Sequence, residues 1–207
     1  RLHAARPAGV NEPTAEGVTG SSEILKLVAE ATSDDVVLVL VSGGGSALLP
    51  APATGISLAD KLAVTRLLML SGATINQLNC VRKRLSAVKG GNLARAAAAA
   101  AALHCLLISD VIGDPLDIIA SGPTVTDTGS DAQALEVLRQ FASRDDDVPD
   151  AVWRFLEARA SDTDGEADDA VFQRVSNHVI GNNEVAVAAA TSHAESLGYH
   201  VHSLGSD

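Results

Sequence analysis

The sequence predicts an α/β protein, a three-layer α/β/α sandwich around a mostly parallel, Rossmann-like central sheet. Short apolar runs at residues 36–41, 103–109, 175–180 and 199–204 read as strands. The first, six consecutive aliphatics and mostly β-branched, has the look of a strand buried on both faces. Helical periodicities separate the runs, and strands alternating with helices imply parallel pairing through crossovers. With 207 residues, 46% of them hydrophobic, the chain can bury a sizeable core.

Each element has a local reason. Residues 1–17 read as a loop or a severed element, since 1–14 carry Pro7, Gly9 and Pro13 without a period. Ile24, Leu27, Val28 and Ala31 repeat at helical spacing over 22–31, and Asp34-Asp35 stop that helix before strand 36–41. A Ser-Gly-Gly-Gly-Ser run at 42–46 opens a Pro/Ala/Gly loop that lasts through Gly55. Ser57 with Asp60, and Thr74 with Gln77, form capping-box patterns that open helices over 58–71 and 75–88. Gly90-Gly91 interrupts, and the alanine run 96–102 extends a helix from Asn92 into the second strand. Amphipathic helices follow at 131–142 and 150–160. A helix at 184–197 links the third and fourth strands.

Composition excludes several classes. Lys+Arg 15 against Asp+Glu 26 gives a net charge of -11, which disfavours sequence-independent nucleic-acid binding. Aromatic residues at 2% leave no base-stacking platform. No apolar run reaches the roughly 18 residues of a membrane-spanning helix. Cys80 and Cys105 lack metal or redox spacing and read as reduced thiols, the pattern of a cytoplasmic protein. Residues 143–170 form an acidic segment expected to be a solvated surface, and Asp162-Thr163-Asp164-Gly165 within it lacks the closing Glu of a calcium loop. The six histidines show no metal spacing beyond a strand-like His200/His202 pair, and none is given a role. Arg1 in place of Met and the strand-like run before Asp207 suggest an internal piece of a longer polypeptide.

Ligands of open α/β sheets collect at the carboxyl ends of the strands. The glycines of Ser42-Gly43-Gly44-Gly45-Ser46 allow close backbone approach to an anion, although the run is neither a Walker A nor a GxGxxG motif. Residues 74–109 hold Arg82, Lys83, Arg84, Lys89 and Arg95 and no acidic residue. On the helix from Ile75, the residues Asn79, Arg82, Lys83 and Ser86 share a face with the donors that phosphate or carboxylate recognition needs. Lys89 precedes Gly90-Gly91 at a predicted helix start, which favours anions. Asp110 and Asp114 place two carboxylates at a strand end, suited to holding Mg²⁺ or accepting a hydroxyl proton. The plain alternatives are a flexible turn, an ordinary basic helix surface and a capping aspartate. Together these features describe phosphoryl transfer or phosphate binding without a P-loop.

Five ordered blocks carry a resemblance: VSGGGSALL at 41–49, GATI with NCVRKRLS at 72–86, KGGNLA at 89–94, SDVIGD at 109–114 and IASGPT at 119–124. Gly181-Asn182-Asn183 with the alanine-rich helix after it adds a sixth. The chain resembles the glycerate 2-kinase family, as a fragment of its N-terminal, MOFRL-associated domain without the C-terminal MOFRL domain. The resemblance implies ATP- and Mg²⁺-dependent phosphorylation of D-glycerate at the 2-hydroxyl, with a homo-oligomer left open. It implies Lys89, Asp110 and Arg82 as catalytic residues and Asp110 with Asp114 at the metal. Ser42, Gly43, Gly44, Gly45, Ser46, Asn79, Lys83, Gly90, Gly91 and Asn183 would bind substrate or phosphate. The family's Gly-Lys segment would precede Arg1, so the piece alone is expected to be inactive. The alternative is a truncated, inactive derivative that binds a phosphate ligand or a partner subunit without turnover.

Overall fold

The computed structural model describes residues 2–5, 7–9, 12–142, 148–161 and 169–205. Three strands form one parallel sheet in the order β1 (Val36–Val41), β2 (Ala102–Ile108), β3 (Val175–Gly181). Val39 pairs with Cys105, and Cys105 with Asn177. The α/β class and the parallel sheet therefore hold. The fourth strand does not: residues 199–205 join no ladder, and Tyr199 and Leu204 lie exposed. Their alternation has no neighbouring strand to pair with among the described residues.

One sheet face is covered. Val37, Val39, Leu103, Cys105 and Leu107 pack with Val28 of α1 (Ala15–Ala29), Leu93 and Ala94 of α5 (Asn92–Ala96), and Val88 and Ile119. On the other face Val36, Leu38, Leu40, Ile108 and Ile180 are between 51% and 72% exposed. The expectation that the first strand is buried on both faces is corrected accordingly. A second core joins α3 (Leu58–Leu70), α4 (Ile75–Arg84), α6 (Asp131–Phe141) and α7 (Asp150–Ser161) through Val64, Leu68, Val81, Leu138, Val152, Trp153 and Leu156. The described part of the acidic segment thus contains a helix that contributes its largest side chain to a core. Asp162-Thr163-Asp164-Gly165 lies outside the described residues.

Tertiary contacts moved several boundaries. Helix α1 begins at Ala15 rather than Ser22, so residues 15–17 are not loop. Thr14 accepts from the Gly17 N–H, and Gly17 approaches Pro50 so closely that a Cβ would lie 2.9 Å from the ring. The glycine there serves close packing rather than flexibility. Helix α5 ends at Ala96 despite the high helix propensity of the alanines that follow. Arg174 donates to the carbonyls of Ala98 and Ala100, and the Ala101 N–H donates to Asp35, which draws this segment into a turn. Helix α4 stops at Arg84 because Leu85 and Ala87 pair with Ala53 and Ala51. Within the expected 42–55 loop, Gly45–Leu48 forms a single helical turn, α2. The last helix, α8, spans Asn183–Ser196 and buries none of its residues.

Candidate active site

Both capping boxes form and fix where α3 and α4 begin. Helix α4 presents Asn79 and Arg82 to the glycine-rich loop. Arg82 donates from Nη2 to Ser46 Oγ at 2.7 Å and from Nη1 to Asn79 Oδ1 at 3.3 Å. Lys89, 3% exposed, donates from Nζ to Ser46 O at 3.0 Å, Ser46 Oγ at 2.8 Å and Ala120 O at 3.3 Å. Ser121 completes the knot, 3.2 Å from Ser46 Oγ and donating to Asn79 Oδ1 at 3.4 Å. Ala120, Ser121 and Gly122 all take left-handed backbone, with φ of 51°, 63° and 60°. Two consecutive non-glycine residues in that region store strain, of order 1–3 kcal/mol each. The cost is maintained by the hydrogen bonds that fix this turn against Lys89 and Gly90.

A cavity of about 480 Å³ opens beside the knot, lined by Ser46, Lys61, Arg82 and Lys89 together with apolar Leu58, Leu62, Met69, Ile75 and Leu78. Lys61 of α3 is 8% exposed, and its Nζ is buried without a hydrogen-bond partner. Burial, then the Arg82 charge, lowers its pKa to about 7. Lys89 is pushed well below the usual lysine range by burial and by the Arg82 and Lys61 charges. Burial lowers Arg82 as well. Glu12, the acidic residue on the pocket rim, is paired with Arg66 at 2.7 Å. The three cations therefore face a pocket whose rim carboxylate is already matched, which is an environment for a bound anion.

The glycine-rich loop also meets the β2 end. A Cβ on Gly43 would lie 2.7 Å from Asp110 Oδ2, so any larger residue here would push that carboxylate out of its place beside the loop. Asp110 is exposed there and borders a second cleft of about 880 Å³ with Asp114, Asn182 and Asn183. Asn182 donates to Asp114 Oδ2 at 2.5 Å and caps α8 by accepting from Val185 N–H. Hydrogen bonds from Ser109 and Asn182 hold the Asp114 carboxyl below the usual range. Among the described residues no group of three or more His, Cys, Asp or Glu side chains could hold a metal ion alone.

The structure thus brings Ser46, Asn79, Arg82 and Lys89 into one cluster, with Gly43 joining it to Asp110. Lys83 is not in it: its Nζ lies 3.5 Å from both Asp127 and Asp117, turned from the pocket. Gly90 and Gly91 donate their N–H groups to Ser121 O and Gly122 O, at 3.0 and 2.7 Å, so these donors hold the strained turn rather than a ligand. Asn183 lines the Asp114 cleft instead. Lys61 and Ser121 join the site without a local motif that marks them. The signal for Lys61 is its place on the buried α3 stripe with Val64 and Leu68, three and seven residues on. A lysine in a core stripe needs a reason.

Known proteins are similar to this chain in sequence and in fold. The chain is 45% identical over 190 residues to a glycerate kinase of Rattus norvegicus, covering 92% of this chain and 35% of the relative. It is 37% identical over 195 residues to a glycerate 2-kinase of Pyrococcus horikoshii, covering 93% and 43%. A crystal structure of glycerate kinase from Thermotoga maritima superposes with a TM-score of 0.79 at 35% identity, over 94% of this chain and 44% of that one. The chain therefore spans about a third to less than half of the length of these relatives. The model of a family described as a domain of unknown function, DUF4147, matches residues 2–157, three-quarters of the sequence, and the chain belongs to that family.

Proposed function

We propose that this chain forms part of a glycerate 2-kinase, which transfers the terminal phosphoryl group of ATP to the 2-hydroxyl of D-glycerate. The observation that carries the reading is the convergence of Lys61, Arg82 and Lys89 on one cavity at the carboxyl end of the sheet, in a chain similar to named glycerate kinases. A small carboxylate and a polyphosphate are both anions, and phosphoryl transfer depends mainly on positioning and charge neutralisation. The glycerate 2-oxygen attacks the γ-phosphorus, the bond to the ADP oxygen breaks, and the hydroxyl proton passes to Asp110. Arg82 faces the charge that develops on the transferred group. Lys89 fixes the Ser46 loop against the 120–121 turn and adds its positive field.

Mg²⁺ is commonly held by one or two carboxylates together with substrate phosphates. The donor set fits that pattern, with exposed Asp110 and hydrogen-bonded Asp114 in one cleft. Asp114 would hold the ion, with Asp110 as the second ligand where it does not serve as the base, and the ion would supply charge neutralisation at the phosphates. The free cysteines Cys80 and Cys105 fit a reducing, cytoplasmic setting.

The test is a coupled assay of the protein expressed from its complete reading frame, with ATP, Mg²⁺ and D-glycerate. The expected product is 2-phosphoglycerate, and Asp110→Asn should lower kcat by about a hundredfold, typical of losing a positioned base. Full activity in Asp110→Asn and Lys89→Ala would remove these roles. The 207-residue chain by itself should bind anions without turnover, and measurable ATP-dependent phosphorylation by it alone would contradict that division.

A further inference from the structure

We propose that Lys61 Nζ seats the carboxylate of the small acid in the 480 Å³ cavity and so determines which acceptors are used. The identity of that acid rests on the kinase reading above. The geometry singles out Lys61 among the three pocket cations. Arg82 is hydrogen-bonded to Ser46 and Asn79, and Lys89 to Ser46 and Ala120. Lys61 Nζ alone of the three is buried with no partner, although its residue is 8% exposed and lines the cavity. An unpartnered buried ammonium is costly, and replacing it by an apolar side chain would ordinarily stabilise a core. Keeping it on the α3 stripe makes sense if an anion completes it.

The surrounding charges fit that role. Arg82 on α4 and Lys89 on the segment after it face Lys61 as like charges. On α3 itself, Asp60 accepts from the Ser57 N–H in the capping box, and Arg66 is paired with Glu12 from the chain before α1. A bound carboxylate gives Lys61 its one counter-charge. It also draws a proton onto an amine that burial and the Arg82 charge have lowered to about 7. The apolar side chains of Leu62, Met69 and Leu78 also line the cavity and suit the uncharged part of a small acid.

The experiment measures D-glycerate binding to the complete protein by calorimetry without ATP, in buffers of different ionisation enthalpy. Wild type should take up about one proton per glycerate at pH 8, with affinity falling as pH rises above about 7, because only the protonated amine pairs with the acid. The uncharged amide of glycerate should bind poorly. Lys61→Met, an apolar near-isostere, should fold with an unchanged or higher Tm. It should lose the proton uptake and weaken glycerate binding about tenfold to a hundredfold, typical of losing a charged hydrogen-bond donor. The KM for ATP should hold. Lys61→Met with wild-type affinity and proton uptake overturns the proposal, whether or not the kinase reading stands. Proton-linked binding lost in Lys61→Met, but no phosphorylation by wild type, upholds the carboxylate seat and rejects the kinase. A wild type that does not bind glycerate at all overturns both.

Discussion

Ser46 is the residue on which the site turns, because its hydroxyl meets Arg82, Lys89 and Ser121 together. Removing it leaves buried Lys89 and partly buried Arg82 each short of an acceptor. Hydrogen bonds to charged groups contribute about 1.5–3 kcal/mol each, so Ser46→Ala should lower kcat/KM by about tenfold to a hundredfold in steady-state assays. Lys61 makes a separate prediction about stability. Its pKa is lowered from 10.5 to about 7 in the fold, so between those values the unfolded chain binds more protons. Stability must therefore rise as pH climbs through that window, and below it the full cost of burying the charge remains. Thermal unfolding from pH 6 to 10 should show this rise, and Lys61→Met should reduce it to the part that Lys89 contributes. The sequence made Arg82, Lys89 and Asp110 legible through local charge contrast. Lys61 stayed hidden because one lysine in an apolar stripe carries meaning only once the stripe is known to face a pocket. Lys83 misled because neighbours on a helix can point to different partners, and Asp127 lies far away in sequence.

At the scale of elements, the turn at 120–122 and the Gly90-Gly91 step act as one unit. Gly91 has φ of 82°, and a Cβ there would lie 2.6 Å from Phe172 Cζ and 2.9 Å from Val125 O. Gly91→Ala combines left-handed strain with overpacking against a backbone atom, and should cost about 2–4 kcal/mol, read as a fall in the denaturation midpoint. Gly43→Ala should behave differently. Its clash is with the exposed Asp110 carboxylate, which can swing aside, so stability should change little while kcat drops. The capping boxes, the strands of the sheet and most helices were legible because their signals are local. The early end of α5 and the early start of α1 were not. The first depends on Arg174, a partner far along the chain that no window of propensity includes, and the second on the Thr14 cap, a local signal masked by the prolines around it.

Across the whole molecule, a glycine-rich loop at the end of β1 lies between two features of opposite charge. Lys61, Arg82 and Lys89 stand on one side, and Asp110 with Asp114 on the other. That arrangement suits a reaction in which an anionic donor and an anionic acceptor meet while a proton leaves. The sequence predicted the parallel sheet and the cluster at its rim, since alternating elements bring strand ends together. It overestimated the burial of β1 and supplied a fourth strand, because apolar runs report the capacity to be covered rather than the presence of a covering element in this chain. The most direct measurement identifies the phosphorylated product by ³¹P NMR, using the protein from its complete reading frame with ATP, Mg²⁺ and D-glycerate. The expected result is 2-phosphoglycerate from wild type and a strong loss in Arg82→Met. Undiminished product from Arg82→Met, or no phosphoglycerate from wild type, would contradict it.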